Sequence, residues 1–394
     1  MVTRRAVLGG AAAGAAALAT PLVSSALNSS AVAAAALSLK VSNHTGQYWS
    51  QDIRMYLVGT DLVTRRQGFV KSRGVFTPCQ LSHNGPDGYA DLAVPLATSG
   101  DTSFAIPDNM SGRIYFAIGK RLRFKVVVDG AGRPALQYPA GWVPVDPNYG
   151  VLHDFVEFTY KDGRMYCNTT AVDMFSIPLA IHLDGARSQI TGTLKKGHRD
   201  QIFAAIRSLP AYSRLVVGNN LRVIAPGHGI NTGLFAANYF DPYITEAWNK
   251  LAARPVRITV NSGVYTGRVS GGVLNFDRGG GSIRKPSTQD VFFCNGALAA
   301  PNTPVGGPIA ARVGAALNRS TLRDHDQEPV TDAGLYYRTG VSNHYARILH
   351  EHMVDGRAYG FPFDDVAEKA SYIEDPAPRQ IWIRLTPFGT KIPT

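Results

Sequence analysis

Residues 153–178, HDFVEFTYKDGRMYCNTTAVDMFSIP, contain the clearest structural signal in the chain, a strand–turn–strand pattern. Aromatic and β-branched residues alternate with polar ones up to Tyr160. The pair Asp162-Gly163 follows, and an Asp-Gly pair between alternating segments is strongly favoured in tight hairpin turns. The sequence therefore predicts a β-hairpin centred on these two residues.

A two-residue turn at this position places Glu157 opposite Asn168 and separates the side chains into two faces, because side chains alternate along a strand. One face is polar and combines an acid, hydroxyls, an amide and an aromatic ring: Glu157, Thr159, Tyr166, Asn168 and Thr170. The other face is predicted to lie in the core: Phe158, Tyr160, Met165 and Cys167. The polar face is typical of a functional site.

Asp173 is the second carboxylate of interest and lies sixteen residues after Glu157. A regular strand would carry Asp173 to the opposite face and roughly 17 Å further along. Cooperation between the two acids therefore requires a bulge or a sharp bend between Thr170 and Asp173. Alternatively, Asp173 simply ends a strand, and the spacing alone leaves both interpretations open.

Composition and charge narrow the class of protein. The 394 residues include 40 glycines, and only 18% are charged, below the ~25% of an average protein. Such a composition favours a β-rich extracellular protein with many turns. The formal net charge is +11, but the basic residues are scattered and form no nucleic-acid-binding motif. We therefore expect no nucleic-acid partner, although acidic cell-surface polymers could attract the protein.

The sequence predicts neither a metal site nor a cofactor. Cys79, Cys167 and Cys294 lack metal-ligand spacing and can form at most one disulfide, whose pairing stays open. His350 and His352 are two residues apart, so they point to different faces of a helix and lack the i, i+4 spacing of zinc helices.

Residues 1–36 are predicted to be an export signal. Arg4 and Arg5 precede an Ala- and Gly-rich apolar run that contains Pro21 and ends in small residues. The paired arginines favour the twin-arginine pathway, although ordinary secretion stays open. No later segment is predicted to span a membrane. We therefore expect a secreted, extracellular protein without stable membrane association.

The remaining chain is predicted to be a β-rich α+β protein with three parts. Residues 37–185 contain short strands and turns, which indicate a sandwich or barrel. Residues 186–349 alternate strands with helical patterns and indicate a mixed α/β domain. Residues 350–394 return to strand character. Helices are predicted over 199–209, 241–254, 307–322 and 342–356, the last with Ser342 as its N-cap.

Asp364 and Asp365 form a second acidic candidate, at the end of DGRAYGFPFDDV (355–366). Aromatic residues alternate just before the pair, which places it at the end of a strand. Local sequence leaves two interpretations open: the acids belong to a binding site, or they cap the turn that follows.

Several motifs together resemble glycoside hydrolase family 64, a family of bacterial secreted β-1,3-glucanases known for releasing laminaripentaose. They occur in order across essentially the whole chain after the export signal: DFVEFTY, NTTAVDMFSIPL, RVIAPG, YFDPYITEAW, VFFCNGAL, LNRSTL and NHYARILHEHMVDGRAYGFPFDDV. The segment DGRAYGFPFDD also resembles thaumatin-like proteins.

The resemblance implies a thaumatin-like β-barrel or sandwich domain and a mixed α/β domain flanking a wide groove, with the C-terminal segment returning to the barrel. It implies an inverting hydrolase of β-1,3-glucan in which Glu157 is the general acid and Asp173 the general base. Substrate-binding residues are then expected on the hairpin face and at the second acidic pair: Thr159, Tyr166, Asn168, Thr170, Asp364 and Asp365.

Neither metal nor cofactor is needed for this chemistry, and we expect a monomer whose partner is the polysaccharide. Two positions depart from the family pattern, in which an Asn is typical at Lys161 and a Trp at Tyr166. The alternative function is a thaumatin-like protein that binds β-glucan without catalysis. The presence of both acids favours the enzyme.

Overall fold

The computed structural model describes residues 36–72 and 74–389. The predicted export signal lies outside them, apart from Ala36. The strands are β1 Leu37–Asn43, β2 Ile53–Asp61, β3 Gln67–Ser72, β4 Val75–Pro78, β5 Val94–Pro95, β6 Thr102–Ile106, β7 Met110–Ile118, β8 Lys125–Val128, β9 Pro134–Gln137, β10 Leu152–Lys161, β11 Arg164–Asn168, β12 Met174–Phe175, β13 Leu179–Asp184, β14 Ser188–Thr191, β15 Val216–Val217, β16 Arg222–Ile224, β17 Val256–Val260, β18 Gly263–Ser270, β19 Val273–Phe276, β20 Ser282–Arg284, β21 Gln327–Glu328, β22 Tyr372–Asp375 and β23 Gln380–Leu385. The helices are α1 His198–Ser208, α2 Pro226–Asn231, α3 Asp241–Ala253, α4 Thr288–Phe293, α5 Gly306–Asn318 and α6 His344–His352.

Two large sheets share one apolar core. Sheet I has the strand order β14-β13-β23-β1-β6, and sheet II has the order β22-β11-β10-β7-β2-β3-β4, with β5 paired to β2. Leu39 of β1, Ile383 of β23 and Phe158 of β10 all lie in this core. Over the described residues both sheets are open at their edges, so the β-rich architecture is confirmed as two packed layers and not as a closed barrel.

The C-terminal strands belong to these two sheets. β23 pairs in parallel with β1 and antiparallel with β13, which places it inside sheet I. β22 pairs with β11 at the end of sheet II. β14, which follows the predicted boundary at residue 185, also pairs with β13 in sheet I.

A second core lies among the helices and a smaller sheet of order β20-β19-β18-β17-β21. The helix α3 shows why these helices form, since its buried residues recur every three or four positions: Tyr243, Ile244, Ala247, Trp248 and Leu251. In the described part of the chain, no helix is both long and apolar enough to cross a membrane.

The predicted N-cap of α6 is wrong by one residue. The helix begins at His344, and the side chain of Asn343 accepts a hydrogen bond from the backbone amide of Ala346. The hydroxyl of Ser342 instead donates to the backbone carbonyl of Asn318. An asparagine is as good a cap as a serine, and the tertiary contact decides between them.

The three cysteines are buried thiols, so the single disulfide that the sequence left open does not form among Cys79, Cys167 and Cys294. Burial raises the pKa of the Cys79 thiol above its ordinary value. Cys167 lies in the core between the two large sheets, where it behaves as a small apolar side chain.

Sheet II is covered on its second face as well. An aromatic cluster that includes Tyr115, Phe124 and Phe155 packs there with Met174 of β12. The strand β12 belongs to a small sheet of order β12-β16-β15, which leads into the helical region. This second face of sheet II is the one on which the polar side of the hairpin lies.

Candidate active site

The predicted hairpin is confirmed with its register. Asp162 and Gly163 join β10 to β11 with φ of 52° and 70°, the left-handed backbone that a two-residue type I′ turn requires at both positions. Glu157 pairs with Asn168, as the sequence predicted. The side chains predicted to be apolar core are buried between sheets I and II: Phe158, Tyr160, Met165 and Cys167.

The polar face is less open than the sequence suggested. Thr159 and Asn168 are fully buried. The Thr159 hydroxyl lies 2.8 Å from that of Ser111 on β7, and the amide of Asn168 donates to Glu157 Oε2 at 3.4 Å. Both side chains therefore lie beneath the surface of the polar face and are held there by hydrogen bonds. Tyr166, by contrast, is only half-buried.

Thr170 lies just beyond the hairpin and is buried, with 8% of its surface exposed. Its hydroxyl accepts a hydrogen bond from the backbone amide of Val172 at 3.3 Å. Such a local side-chain contact favours a turn over a continued strand. Thr170 thus helps to change the direction of the chain ahead of Asp173.

The bend predicted before Asp173 is confirmed. The backbone bends at Val172 and Asp173 and then continues as β12. Two contacts hold Ala171 at the start of this bend: its amide donates to the Tyr359 carbonyl at 2.9 Å, and its carbonyl accepts from the Tyr345 hydroxyl at 2.7 Å. Asp173 is therefore redirected toward the face that carries Glu157.

Arg113 links the two carboxylates. It lies directly opposite Glu157 on the neighbouring strand β7, and its Nη2 atom is 3.0 Å from Glu157 Oε1 and 3.4 Å from Asp173 Oδ2. The sum of these distances, 6.4 Å, is the largest possible separation of the two oxygens. The guanidinium also stacks 4.2 Å from the centre of the Phe155 ring, which fixes its orientation.

His228 holds the other oxygen of Asp173. Its Nε2 atom is 2.8 Å from Asp173 Oδ1. An ionised carboxylate only accepts hydrogen bonds, so Nε2 carries the proton and donates. The imidazole stacks on Trp142 with ring centres 4.3 Å apart and meets the ring of Phe293 edge-on at 5.1 Å. These rings leave the imidazole little freedom to turn away.

The environment drives the two carboxyl groups in opposite directions. Burial raises the pKa of Glu157 above its ordinary value, and the charge of Asp173 adds to this effect, although Arg113 opposes it. Burial also favours a higher pKa for Asp173, but the hydrogen bond from His228 and the charge of Arg113 outweigh it and hold that pKa below its ordinary value.

This difference in pKa assigns distinct chemical capacities to the pair. Glu157 retains its proton more readily and suits a proton donor, whereas Asp173 stays ionised and suits a proton acceptor. The two side chains are 16% and 18% exposed, so a substrate can reach them. The arrangement can carry out general acid–base catalysis on one bond.

The structure corrects the role predicted for Asp364. Its side chain is fully buried, 3.0 Å from Arg319 and 2.9 Å from His350, and it also accepts from the Gly360 amide. A substrate cannot reach this carboxylate, which instead ties three segments together. Asp365 is half-buried and lines a cavity at the edge of sheet II.

Sequence reasoning missed Arg113, His228 and Trp142. Arg113 stands in a segment that reads as a strand, but only the pairing of β7 with β10 brings it to Glu157. His228 and Trp142 have no local signal, because one comes from the short helix α2 and the other from a loop. Their place beside Asp173 is a tertiary property.

Comparison with known proteins identifies the family to which this chain is similar. The family model described as beta-1,3-glucanase matches residues 35–385. Two curated relatives, both glucan endo-1,3-beta-glucosidases, from Arthrobacter sp. (strain YCWD3) and Cellulosimicrobium cellulans, are each 34% identical over 298 residues. Each match covers 72% of this chain and 54% of the relative, so the chain spans about half the length of these relatives.

Solved structures agree with the fold throughout. A laminaripentaose-producing β-1,3-glucanase in complex with laminaritetraose is 35% identical, with a TM-score of 0.82 over 90% of this chain and 99% of that one. A GH64 β-1,3-glucanase domain from Clostridium beijerinckii is 28% identical, with a TM-score of 0.78 over 89% and 98%. The chain therefore belongs to glycoside hydrolase family 64, the β-1,3-glucanases.

Proposed function

We propose that this protein hydrolyses β-1,3-glucan by general acid–base catalysis, with Glu157 as the acid and Asp173 as the base. The observation that carries the proposal is the pair itself. Two partly exposed carboxylates contact one guanidinium nitrogen, and their surroundings shift the two pKa values apart. Family membership and a neighbour solved with laminaritetraose support the choice of substrate.

In the proposed reaction, Glu157 donates its proton to the glycosidic oxygen as the bond from that oxygen to the anomeric carbon breaks. A water molecule attacks the anomeric carbon from the opposite side and gives its proton to Asp173. The new hydroxyl then has the opposite anomeric configuration, so the reaction inverts. Proton exchange with solvent restores both carboxyl groups for the next cycle.

The carboxyl separation suits joint action on one glycosidic bond. The 6.4 Å limit applies to the two oxygens that Arg113 bridges, and inverting glycosidases place their carboxyl groups about 6.5–9.5 Å apart to admit a water. A substrate that displaces the Asp173 contact with Arg113 would open this space, because that contact is the longer of the two.

Arg113 and His228 act as positioning residues in this proposal. Arg113 orients Glu157 through the shorter of its two contacts, and His228 orients Asp173 so that one oxygen stays directed at the attacking water. Tyr166 and Thr170 are proposed to contact sugar rings beyond the cleaved bond. Thr159 and Asn168 are buried and are proposed to shape that surface from below.

The wider architecture supports a polysaccharide substrate. We propose that the two-sheet unit is a thaumatin-like domain and that it flanks a wide groove together with the α/β region, with Glu157 on the groove floor. The segment that resembles thaumatin-like proteins is followed directly by β22 and β23, which complete the two sheets. We propose further that this groove is open at both ends, as is needed for an endo-acting monomer that releases laminaripentaose-like products.

The decisive experiment measures reducing ends released from curdlan by purified Glu157→Gln and Asp173→Asn variants. Loss of general acid or base catalysis should lower turnover by about 10²–10⁴-fold, while both variants still sediment with the insoluble glucan. Glu246→Gln, at an exposed carboxylate on α3, is the matched control and should keep full activity.

Near-normal turnover in both variants would refute the assignment. Wild-type protein that binds curdlan but releases no reducing ends would instead identify the alternative, a glucan-binding protein without catalysis. Inversion is tested separately by NMR of fresh products, which should contain the α-anomer first. An initial excess of the β-anomer would indicate retention.

We also propose that the protein is secreted through the twin-arginine pathway, on the strength of Arg4 and Arg5 ahead of the apolar run. Expression in a bacterium with that pathway should deliver the protein outside the cytoplasm. Replacing both arginines by lysine should cause it to accumulate inside. Export that is unchanged by this substitution would point to ordinary secretion.

A further inference from the structure

A polar cavity of about 270 Å³ lies at the β22 edge of sheet II. Three parts of the chain form it. Tyr372 and Glu374 come from β22, Arg187 and Gln189 come from the β13–β14 connection and its strand, and the third wall comes from the segment after α6: Arg357, Asp365, Glu368 and Ala370. Its size is near the lower end of the ~300–1,000 Å³ typical of small-molecule sites.

Strand register places this cavity beside the proposed active site. On β22, Tyr372 pairs with Asn168 and Glu374 pairs with Tyr166. Directly opposed residues in a sheet share a face, so both β22 side chains lie on the face of Glu157. Two strand spacings of ~4.8 Å separate β10 from β22. The cavity therefore begins about 10 Å to the side of the part of the polar face that carries Glu157 on β10, which we call the catalytic row.

The wall nearest Glu368 is built at a conformational cost. Ala367 and Glu368 have φ of 60° and 59°, in the left-handed region that non-glycine residues seldom occupy. Two such residues in succession persist only where the surrounding structure fixes them, and such positions concentrate at binding sites. The surrounding structure therefore holds this backbone, and with it Glu368, at the cavity wall.

The charges select the class of ligand. Two guanidinium groups, from Arg187 and Arg357, share the cavity with the carboxylates of Asp365, Glu368 and Glu374. A free anion would meet the carboxylates and a cation would meet the arginines, so neither is well matched. A neutral ligand with many hydroxyls can donate to the carboxylates, accept from the arginines and pack against the half-buried Tyr372 ring.

We propose that this cavity is an additional glucan subsite, which binds a sugar unit of the substrate chain that extends sideways from the cleaved bond. The inference rests on the proposed function and adds to it a place where glucan is held away from the chemistry. Long glucans gain this contact, and short oligosaccharides that fill only the catalytic row do not.

The test uses the full chain with Glu157→Gln, so that ligands bind without being cleaved. Calorimetry measures the Kd for laminari-oligosaccharides from the disaccharide to the heptasaccharide and for soluble laminarin. Adding Arg357→Ala or Glu368→Gln should weaken binding of the longest ligands by about tenfold, since each removes a charged hydrogen-bond partner. Affinity for the shortest ligand that binds should not change.

Arg284→Ala is the matched control, because Arg284 is an exposed arginine on β20 of the smaller sheet. It should leave every Kd unchanged. Thermal unfolding of each variant is measured alongside, and Glu368→Gln keeps the size and shape of the side chain in case Arg357→Ala unfolds.

The outcomes separate this inference from the function on which it rests. Equal affinities in the cavity variants and the parent at every ligand length would overturn the subsite and leave the proposed function standing. A loss of the same size at every length would also overturn it, because the cavity would then only support the catalytic row. A parent that binds no glucan of any length would refute the proposed function itself.

Discussion

Two clusters in this protein have the same composition but different surroundings: each is an aspartate held by an arginine and a histidine. They are Asp173 with Arg113 and His228, and Asp364 with Arg319 and His350. The partner distances are similar, at 3.4 and 2.8 Å in the first cluster and 3.0 and 2.9 Å in the second. The partners alone therefore do not decide what the aspartate does.

Access to water and a second acid make the difference. The Asp173 side chain is 18% exposed, whereas that of Asp364 is 0% exposed. Arg113 also contacts Glu157, and Asp364 instead receives a further backbone hydrogen bond from Gly360. The first cluster leaves a proton acceptor within reach of a substrate. In the second cluster, the contacts of Asp364 join the C-cap residue of α5, the helix α6 and the segment after α6.

The largest expected difference between the clusters is in catalysis. Asp173→Asn should lower curdlan turnover by about 10²–10⁴-fold because the amide cannot accept the proton of the attacking water. Its midpoint of unfolding should change little by comparison with that of Asp364→Asn. A variant that loses stability and activity in parallel would show that both clusters are mainly structural, and so break the comparison.

The second difference is in stability. Asp364→Asn removes one charge of a fully buried ion pair and should destabilise the fold by about 3–5 kcal/mol. Denaturant unfolding followed by fluorescence measures the change. Asp184→Asn, in the exposed pair with Arg379, should cost under ~1 kcal/mol. Equal costs for the two variants would mean that burial is not what distinguishes the Asp364 pair.

The third difference is in pH dependence. Loss of the His228 hydrogen bond in His228→Ala should raise the pKa of Asp173, since that bond helps to hold it low. Because the reaction needs Asp173 ionised, the acid limb of kcat/KM should move to higher pH. The basic limb, which reports Glu157, should move less. His182→Ala on β13 is the control, and an unchanged acid limb in His228→Ala would remove His228 from its positioning role.

The buried cluster should respond to pH through stability instead. Burial favours a higher pKa for Asp364, but His350 and Arg319 outweigh it and hold that pKa low. A depressed carboxyl pKa stabilises the fold above the unfolded value of ~3.9. This stabilisation is lost as pH falls below ~3.9 and through the folded value, so the free energy of unfolding should fall less steeply with decreasing pH in Asp364→Asn than in wild type.

The smallest effect is expected at Tyr166, on the polar face of the hairpin that also carries Glu157. Tyr166→Ala should raise KM for laminarin about 2–10-fold with kcat nearly unchanged, because a stacking contact of ~0.5–1.5 kcal/mol is lost. Tyr166→Trp enlarges the stacking surface and should lower KM. A fall in kcat with constant KM would place Tyr166 in the chemistry and not in binding.

Local sequence predicted what depends on neighbouring residues. The Asp162-Gly163 turn determines the register of β10 and β11, and the need for two cooperating acids predicted the bend ahead of Asp173. Local sequence could not predict that Arg113 lies beside Glu157, because this contact depends on the order of the strands in the sheet. The substrate role given to Asp364 was wrong for the same reason, since an aspartate after alternating aromatics looks alike whether it faces solvent or a buried arginine.

The position of β23 has a consequence for how the protein reaches its native state. This strand lies between β1 and β13. Gln380 of β23 pairs with Ser38 of β1, although the two residues are 342 positions apart in the chain. Sheet I therefore cannot be completed before β23 has been synthesised. Until β23 arrives, β1 and β13 each present an unpaired edge that invites association with other chains. We expect slow folding that depends on protection from aggregation.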